Sequence, residues 1–334
     1  MLHLRIVAPH DRAEQALEVL TATPSVCNVV RLPGAAVRPP GDVILADVAR
    51  EEASVVLSDL RRLEIHHEGS ISIESIDTQI SDAADRAEEA APGLPSDAVV
   101  WEEVEARTSE TTELSASFLA FMVLACLIAA VGIYLDTPIL IIGAMVVGPE
   151  FGPLAGLCVA LVSGRRDLAV RSFVALAVGF PAGITAAFAA TLVFKWTGVT
   201  PSHFDSTGHA LSVVIAHPDF LSFFVALCAG GAGVLSLTSA KSGALIGVLI
   251  SVTTIPAAAN IGVAAAYGDG DKWTGSMEQL AVNLGAILLA GLVTLGIQRA
   301  LYARRRAAHD RELGRATETP RPRPSSAPAP PPRP

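Results

Sequence analysis

Two hydrophobic patterns divide the chain. Up to residue 77 apolar side chains alternate or recur every three to four positions, whereas from Ala116 they run on with little relief. Residues 2–8 alternate as a strand, and residues 11–20 place Ala13, Ala16, Leu17 and Leu20 on one helical face. Residues 26–32 read as a second strand, Pro33-Gly34 and Pro39-Pro40-Gly41 as loop, and residues 43–48 as a third strand. A second amphipathic helix over 51–63 turns Val55, Val56, Leu60 and Leu63 inward, and Ile71, Ile73 and Ile76 mark a fourth strand. The order β-α-β-β-α-β is the split βαβ plan, so residues 1–77 are predicted to form an α+β, ferredoxin-like domain. That plan serves enzymes, metal chaperones and ligand sensors alike and does not name a function.

Residues 78–115 are polar and acidic, with helical stretches at 82–91 and 97–108 around Pro92-Gly93-Leu94-Pro95. Val99, Val100, Trp101 and Val104 form an apolar edge suited to the headgroup zone, so this segment reads as an interfacial connector, with a solvated linker helix as the equal alternative. Apolar runs then follow at 116–135, 138–162, 168–194 (with Pro181 as a kink), 220–237, 243–266 and 277–298. Each is near the roughly 20 residues a crossing helix needs. Residues 116–302 are therefore expected to be an all-α polytopic membrane domain of about six helices, with 197–218 outside. Residues 303–334 turn basic and then Pro-rich, a composition expected to stay disordered or locally polyproline II.

Composition sharpens this division. Residues are 51% hydrophobic and 17% charged, too apolar for an ordinary soluble enzyme. Residues 1–114 hold 9 Arg and 22 Asp+Glu, while the other 220 hold 15 Arg+Lys and 11 Asp+Glu. An acidic front half repels nucleic acid, so no nucleic-acid partner is expected. Arg165, Arg166, Arg171, Lys241, Arg299 and Arg304–Arg306 fall on one side of a six-span layout. With no apolar leader after Met1, this places both termini in the cytoplasm and the chain in the inner (plasma) membrane. Cys27, Cys126, Cys158 and Cys228 have neither disulfide nor zinc spacing.

The stretch Ile141–Leu157 stands out. Pro149 and Pro153 flank Glu150, and Gly148 and Gly152 precede the two prolines, a sequence that should unwind a helix mid-membrane. Broken backbone and an ionisable group are both costly in hydrocarbon and mark candidate sites; the plainer alternative is a kinked helix packed against its neighbours, with Glu150 protonated or near an interface. About one hundred positions on, Leu245-Ile246-Gly247 leads into Ser251-Val252-Thr253-Thr254-Ile255-Pro256 and then Asn260-Ile261-Gly262. This echo three spans later predicts a 3+3 inverted repeat with interrupted helices meeting at a midplane site. Candidate ion- or solute-binding residues are Gly148, Glu150, Gly152, Ser251, Thr253, Thr254, Asn260 and Asn283, with Ser236 and Ser239 as further polar lining. Interhelical hydrogen bonding is the plainer role for any single one of these hydroxyls and amides. Dense small residues, as at Gly230-Gly231-Ala232-Gly233, suit internal packing or subunit contact, and a homo-oligomer is expected.

Other clusters carry less. His66-His67-Glu68 are neighbours on a turn and point apart, which does not suit a metal. His203, His209 and His217 with Asp205 and Asp219 form a polar outer loop in which metal binding or pH sensing is the sharper alternative. No His-Glu-x-x-His, Gly-x-Ser-x-Gly or phosphate loop is present, so no catalytic residue, metal or cofactor is expected and the chain is not read as an enzyme.

The motifs from Gly143-Ala144-Met145 to Gly152-Pro153, from Ala229 to Ser236, from Gly247 to Gly262, and from Gly275-Ser276 to Asn283-Leu284 resemble the bacterial and archaeal membrane family called domain of unknown function 389. The resemblance covers most of residues 1–300 and implies a shared architecture without a substrate. Many relatives lack a carboxylate between the two prolines, which makes Glu150 the mark of a subgroup. The expectation is a transporter or channel for a small ion or polar solute. The alternative is a membrane-anchored sensor or scaffold that transports nothing, and an intramembrane enzyme ranks third.

Overall fold

The computed structural model describes residues 1–76, 78–91, 93, 98–200, 210–239 and 253–318. It forms two units, Met1–Gly296 and the residues from Ile297 on.

The front of the first unit is a four-stranded sheet. β1 (Leu2–Ala8) buries Leu2, Leu4, Ile6 and Ala8 completely, as its alternation predicts. It pairs antiparallel with β3 (Pro40–Val48) on one side and β4 (Ser70–Ser75) on the other. β2 (Val26–Val37) pairs antiparallel with β3, giving the order β2-β3-β1-β4. α1 (His10–Ala22) adds Ala13, Ala16 and Leu20 to the core, and α2 (Arg50–Arg62) adds Ala53, Val56, Leu57 and Leu60. The short α3 (Ile65–Glu68) buries Ile65 and leaves His66 and His67 exposed.

β2 is longer than its sequence suggests. It continues through Pro33-Gly34 with a register shift between Leu32 and Ala36. Pro33 is tolerated because β2 is an edge strand, where a missing N–H costs little. Gly34, at φ +64°, supplies the left-handed residue of the irregularity. Its N–H donates to Asp42 Oδ1 at 2.9 Å. Asp42 is fully buried and also meets His10 Nδ1 at 3.1 Å and Arg31 Nε at 2.9 Å. These donors, the Gly34 amide first, hold its carboxyl down to about 2.

α4 (Asp82–Ala90) starts at Ser81, whose hydroxyl accepts from the Ala84 N–H at 3.3 Å. α5 (Trp101–Thr111) corrects one expectation. Its apolar edge faces the front domain, not a headgroup layer. Val100 joins the front core, and the buried Trp101 donates its backbone N–H to Ser54 Oγ at 3.1 Å. An amphipathic edge needs only an apolar partner, and here the nearest one is protein.

The remainder is helical: α6 (Ala116–Tyr134), α7 (Pro138–Val147), α8 (Phe151–Ser163), α9 (Arg166–Thr197), α10 (Ala210–Ile215), α11 (Phe220–Thr238), α12 (Thr254–Tyr267) and α13 (Gly270–Glu318). Among the described residues, α6, α9, α11 and Gly270–Ala307 of α13 are long and apolar enough to cross a membrane. The α7–α8 pair, bent by 49°, makes a fifth candidate. Residues 243–252 of the expected fifth span lie outside the described residues. Pro181 sits inside the continuous helix α9. Large apolar side chains such as Leu124, Phe173, Val193, Phe224, Leu289 and Val293 are exposed around these helices. So many outward apolar groups suit a hydrocarbon surrounding and not water.

Among the described helices α12 is the most buried, with 12 of its 14 residues buried. At 1.5 Å per residue it is about 21 Å long, short of a bilayer core of about 30 Å. It packs on α6, α7, α9 and α10. Lys195 Nζ donates to Ala266 O at 2.9 Å, a cation at the negative end of α12. α13 continues without a break past the expected boundary at 303, through the basic run to Glu318. Arg and Ala favour helix, so charge alone does not end it. Residues 319–334 of the expected Pro-rich tail lie outside the described residues.

The Asp42 cluster yields a pH prediction. A carboxyl held below its unfolded value of about 3.9 contributes stability above that pH and loses it as pH falls towards the folded value. Asp42→Asn in the full-length protein should therefore lower the thermal midpoint at pH 7. The gap from wild type should close between about pH 4 and pH 2. A gap that stays constant over that range contradicts the role given to Asp42.

Candidate functional site at a helix break

α7 ends at Val147 and α8 begins at Phe151, leaving Gly148, Pro149 and Glu150 between them. Pro149 supplies the break, since it has no N–H to continue α7 and biases Gly148 away from helix. Gly148 is extended, at φ −61° and ψ 130°. Pro153 does not interrupt a helix, contrary to expectation. It is the third residue of α8, in the first turn, where an N–H has no intrahelical partner anyway. Pro256 occupies the same third position in α12.

The N-terminal ends of α8 and α12 meet. Thr254 Oγ1, on the first residue of α12, donates to Glu150 Oε1 at 2.7 Å. Glu150 is 4% exposed, and among the described residues its Oε2 has no hydrogen-bond partner and no ion pair reaches it. Gly148 makes room for this carboxylate. A Cβ there would collide with Glu150 Oε2 and lie 2.6 Å from Ile255 Cγ1. Gly152 serves a different contact, for its Cβ would lie 2.8 Å from Thr111 Cβ at the end of α5. Gly148, extended at the break as its sequence suggests, also packs closely, whereas Gly152 lies within α8 and acts through close packing alone.

Thr253, beside Thr254, accepts at Oγ1 from Asn283 Nδ2 at 2.8 Å, and Asn283 Oδ1 accepts from Gln279 Nε2 at 3.2 Å. A polar string therefore runs from Gln279 through Asn283 and Thr253–Thr254 to Glu150. Asn260 is placed elsewhere. It bonds Ser212 Oγ at 2.9 Å and Ser276 Oγ at 2.8 Å in a separate, fully buried cluster joining α10, α12 and α13. Ser251 lies outside the described residues, as do His203, Asp205 and His209. Of the outer-loop residues, His217 Nδ1 meets Val213 O at 2.7 Å, and Asp219 caps α11 through the Ser222 N–H. Among the described residues no group of three His, Cys, Asp or Glu side chains is arranged to hold a metal ion.

Residues 145–289 match the model of the family described as Domain of unknown function (DUF389). The matched stretch opens on the last turn of α7 and closes on α13, so it contains the break, Glu150, all of α12 and Asn283. The chain is also 27% identical over 203 residues to an uncharacterized protein, MJ0678, of Methanocaldococcus jannaschii, covering 58% of each chain. The chain thus spans somewhat over half the length of that curated relative. No solved structure matches.

Two hollows adjoin the break. One, of about 690 Å³, reaches Gly148, Pro149 and Phe151 and is walled by α5 residues and by Ser236 and Leu237 near the end of α11. The other, of about 270 Å³, reaches Thr253 and Asn283 and is lined by Asp219, Ser222 and Ala226 at the start of α11. Ala226 and Ser236 are separated by roughly 15 Å along that helix. Glu150 and Thr254, which share the buried bond, are near neighbours in sequence of Gly148 and Phe151 in the lining of one hollow and of Thr253 in the lining of the other.

Sequence reasoning missed Gln279 and Asp219. Gln279 had a usable signal, being one helical turn before Asn283 on the same face. Asp219 was read as loop polarity, since a capping aspartate and a lining aspartate look alike in sequence.

The packing of Gly148 generates a test. Gly148→Ala should destabilise the full-length protein in detergent by about 1–3 kcal/mol, the range for overpacking a close-fitting interior. Adding Glu150→Ala should recover part of that loss, because it removes one of the two groups the new methyl meets. Strictly additive losses in thermal unfolding contradict the contact.

Proposed function

We propose that this chain is a membrane transporter or channel for a small ion or polar solute, with its site at the break between α7 and α8. The single observation that carries the proposal is the pair of hollows lined by opposite ends of α11, with the buried Glu150–Thr254 bond on residues next to the lining of each. A pathway needs an approach from each face and a polar constriction between, and this arrangement supports that reading. The membrane part is read as six spans in a 3+3 inverted repeat. Matching prolines in the first turns of α8 and α12, and the meeting of those turns, support that reading.

In this reading the N-terminal dipoles of α8 and α12 converge on one carboxylate. Glu150 carries a cation or a proton and exchanges it against the Thr254 hydroxyl as access passes from one hollow to the other. The front domain, with its βαββαβ order and β2-β3-β1-β4 sheet, is read as ferredoxin-like and regulatory or assembling. It is placed in the cytoplasm with both termini, in the inner membrane of the cell. Arg165, in the turn between α8 and α9, lies 3.2 Å from Glu105 of α5, which puts one basic cluster on the front-domain side. The chain is taken to be a homo-oligomer and to catalyse no reaction.

Flux into proteoliposomes across a panel of inorganic ions and amino acids tests this. Glu150→Gln and Thr254→Val should each reduce a detected flux by about tenfold or more, as loss of a buried charged hydrogen bond implies. Unchanged flux removes the site assignment. A tight bilayer with no flux across the panel favours the sensor or scaffold instead.

A further inference from the structure

The larger hollow has an unusual wall. Arg107, Thr108, Glu110 and Thr111 all line it, and all belong to α5, outside the apolar helices. α5 is fixed at both ends to different parts of the molecule. At its start, Val100 is part of the front-domain core, and Ser54 of α2 accepts from the Trp101 N–H and donates to Glu102 Oε2 at 2.9 Å. At its end, Thr111 lies against Gly152, and Thr112 against Gly156, on α8 just past the break. Gly156 is also closed from the other side, by Ser172 of α9. A Cβ on Gly152 would press on the Thr111 backbone, and one on Gly156 on the Thr112 methyl, so either would load the end of α5.

Between these ends runs a short charge relay. Glu103 Oε2 accepts from Arg50 Nη2 of α2 at 2.6 Å, and its Oε1 accepts from Arg107 Nη2 at 2.5 Å. Arg50 is 7% exposed, so this is a shielded ion pair and not a surface one. Such pairs have a defined geometry, and losing one partner leaves a buried charge. Arg107 is the cavity-facing member. The front domain therefore holds α5 through Glu103, and Glu103 meets, one turn on, the half-exposed Arg107 in the wall of the hollow.

We infer that α5 is a movable wall through which the front domain controls access to the break, so that displacement of α2 changes the opening of the larger hollow. This rests on the transport reading and adds its regulation. A plain tether would need neither buried charges on the front-domain side nor side-chain-free contacts on α8. Rigid elements with two arrangements carry coupling of this kind.

The test measures the labelling rate of Leu237→Cys, a hollow-lining position, by a water-soluble thiol reagent. It uses the full-length protein in vesicles with the four native cysteines replaced. Glu103→Gln, which cuts the relay, should change that rate by about threefold or more, the size expected of a modest coupling energy. Glu103→Asp, which keeps a carboxylate between Arg50 and Arg107, should hold it near the starting value. Should Glu103→Gln fail to fold, Gly156→Ala presses on α5 from the other end and should shift the rate similarly. Thr112→Ser, which removes the facing methyl, should then relieve that shift. Rates within error of each other in all folded variants overturn the inference and leave the transport reading standing. A Leu237→Cys that never reacts in any variant overturns both, because the hollow is then closed to water.

Discussion

A carboxylate enclosed among apolar helices is the constraint on which the rest of this structure depends. Burying Glu150 without a partner would cost several kcal/mol. The Thr254 hydroxyl and the two converging helix N-termini offset part of that cost. For them to do so, two helices must begin at the same depth, point at one another and admit no bulk between them. Gly148 leaves the space the carboxylate fills, and the prolines in the first turns of α8 and α12 use N–H positions that a helix leaves empty. Both half-helices are too short to cross a bilayer alone, so the surrounding long helices must hold them. That is why α12 is the most enclosed helix of the set.

The polar groups around this point divide into two kinds. Asn260 with Ser212 and Ser276 is a closed cluster, every member paired, and it pins α12 against α10 and α13. The string from Gln279 to Glu150 is open, with Gln279 Oε1 and Glu150 Oε2 both buried and lacking a donor among the described residues. A closed cluster adds rigidity, whereas orphaned acceptors are the groups that a passing guest can satisfy. The same division separates α10 from α5. The first is fixed inside the bundle by Ser212, and the second spans from the front domain to the edge of the hollow.

Much of this was legible in the sequence, for physical reasons. The alternation of Leu2, Leu4 and Ile6 has no other reading than a half-buried strand. Pro149 has to stop a helix, and a charged residue beside such a stop in an apolar run is costly enough to stand out. The partnership of residue 150 with residue 254 followed from the echo of one proline-bearing stretch in another. Periodicity could not tell which surface an amphipathic edge would meet, so Trp101 was expected at a headgroup layer and is found against Ser54. Nor did it place Asn260 correctly beside Thr254, since six residues of helix carry a side chain about 9 Å on and well round the axis. Gly148 and Gly152 were read through backbone freedom alone, while the close approach of Ile255 to one and of Thr111 to the other comes from residues distant in sequence. The relay from Arg50 through Glu103 to Arg107 joins positions that no local pattern connects.

The central claim is that the break at Glu150 lies between two water-reached spaces opening on opposite faces. Labelling single cysteines with a membrane-impermeant thiol reagent in sealed, oriented vesicles tests it most directly. Phe151→Cys should react only from the face bearing the front domain, and Thr253→Cys only from the other. Reaction of both from one face, or of neither from either, would contradict the account.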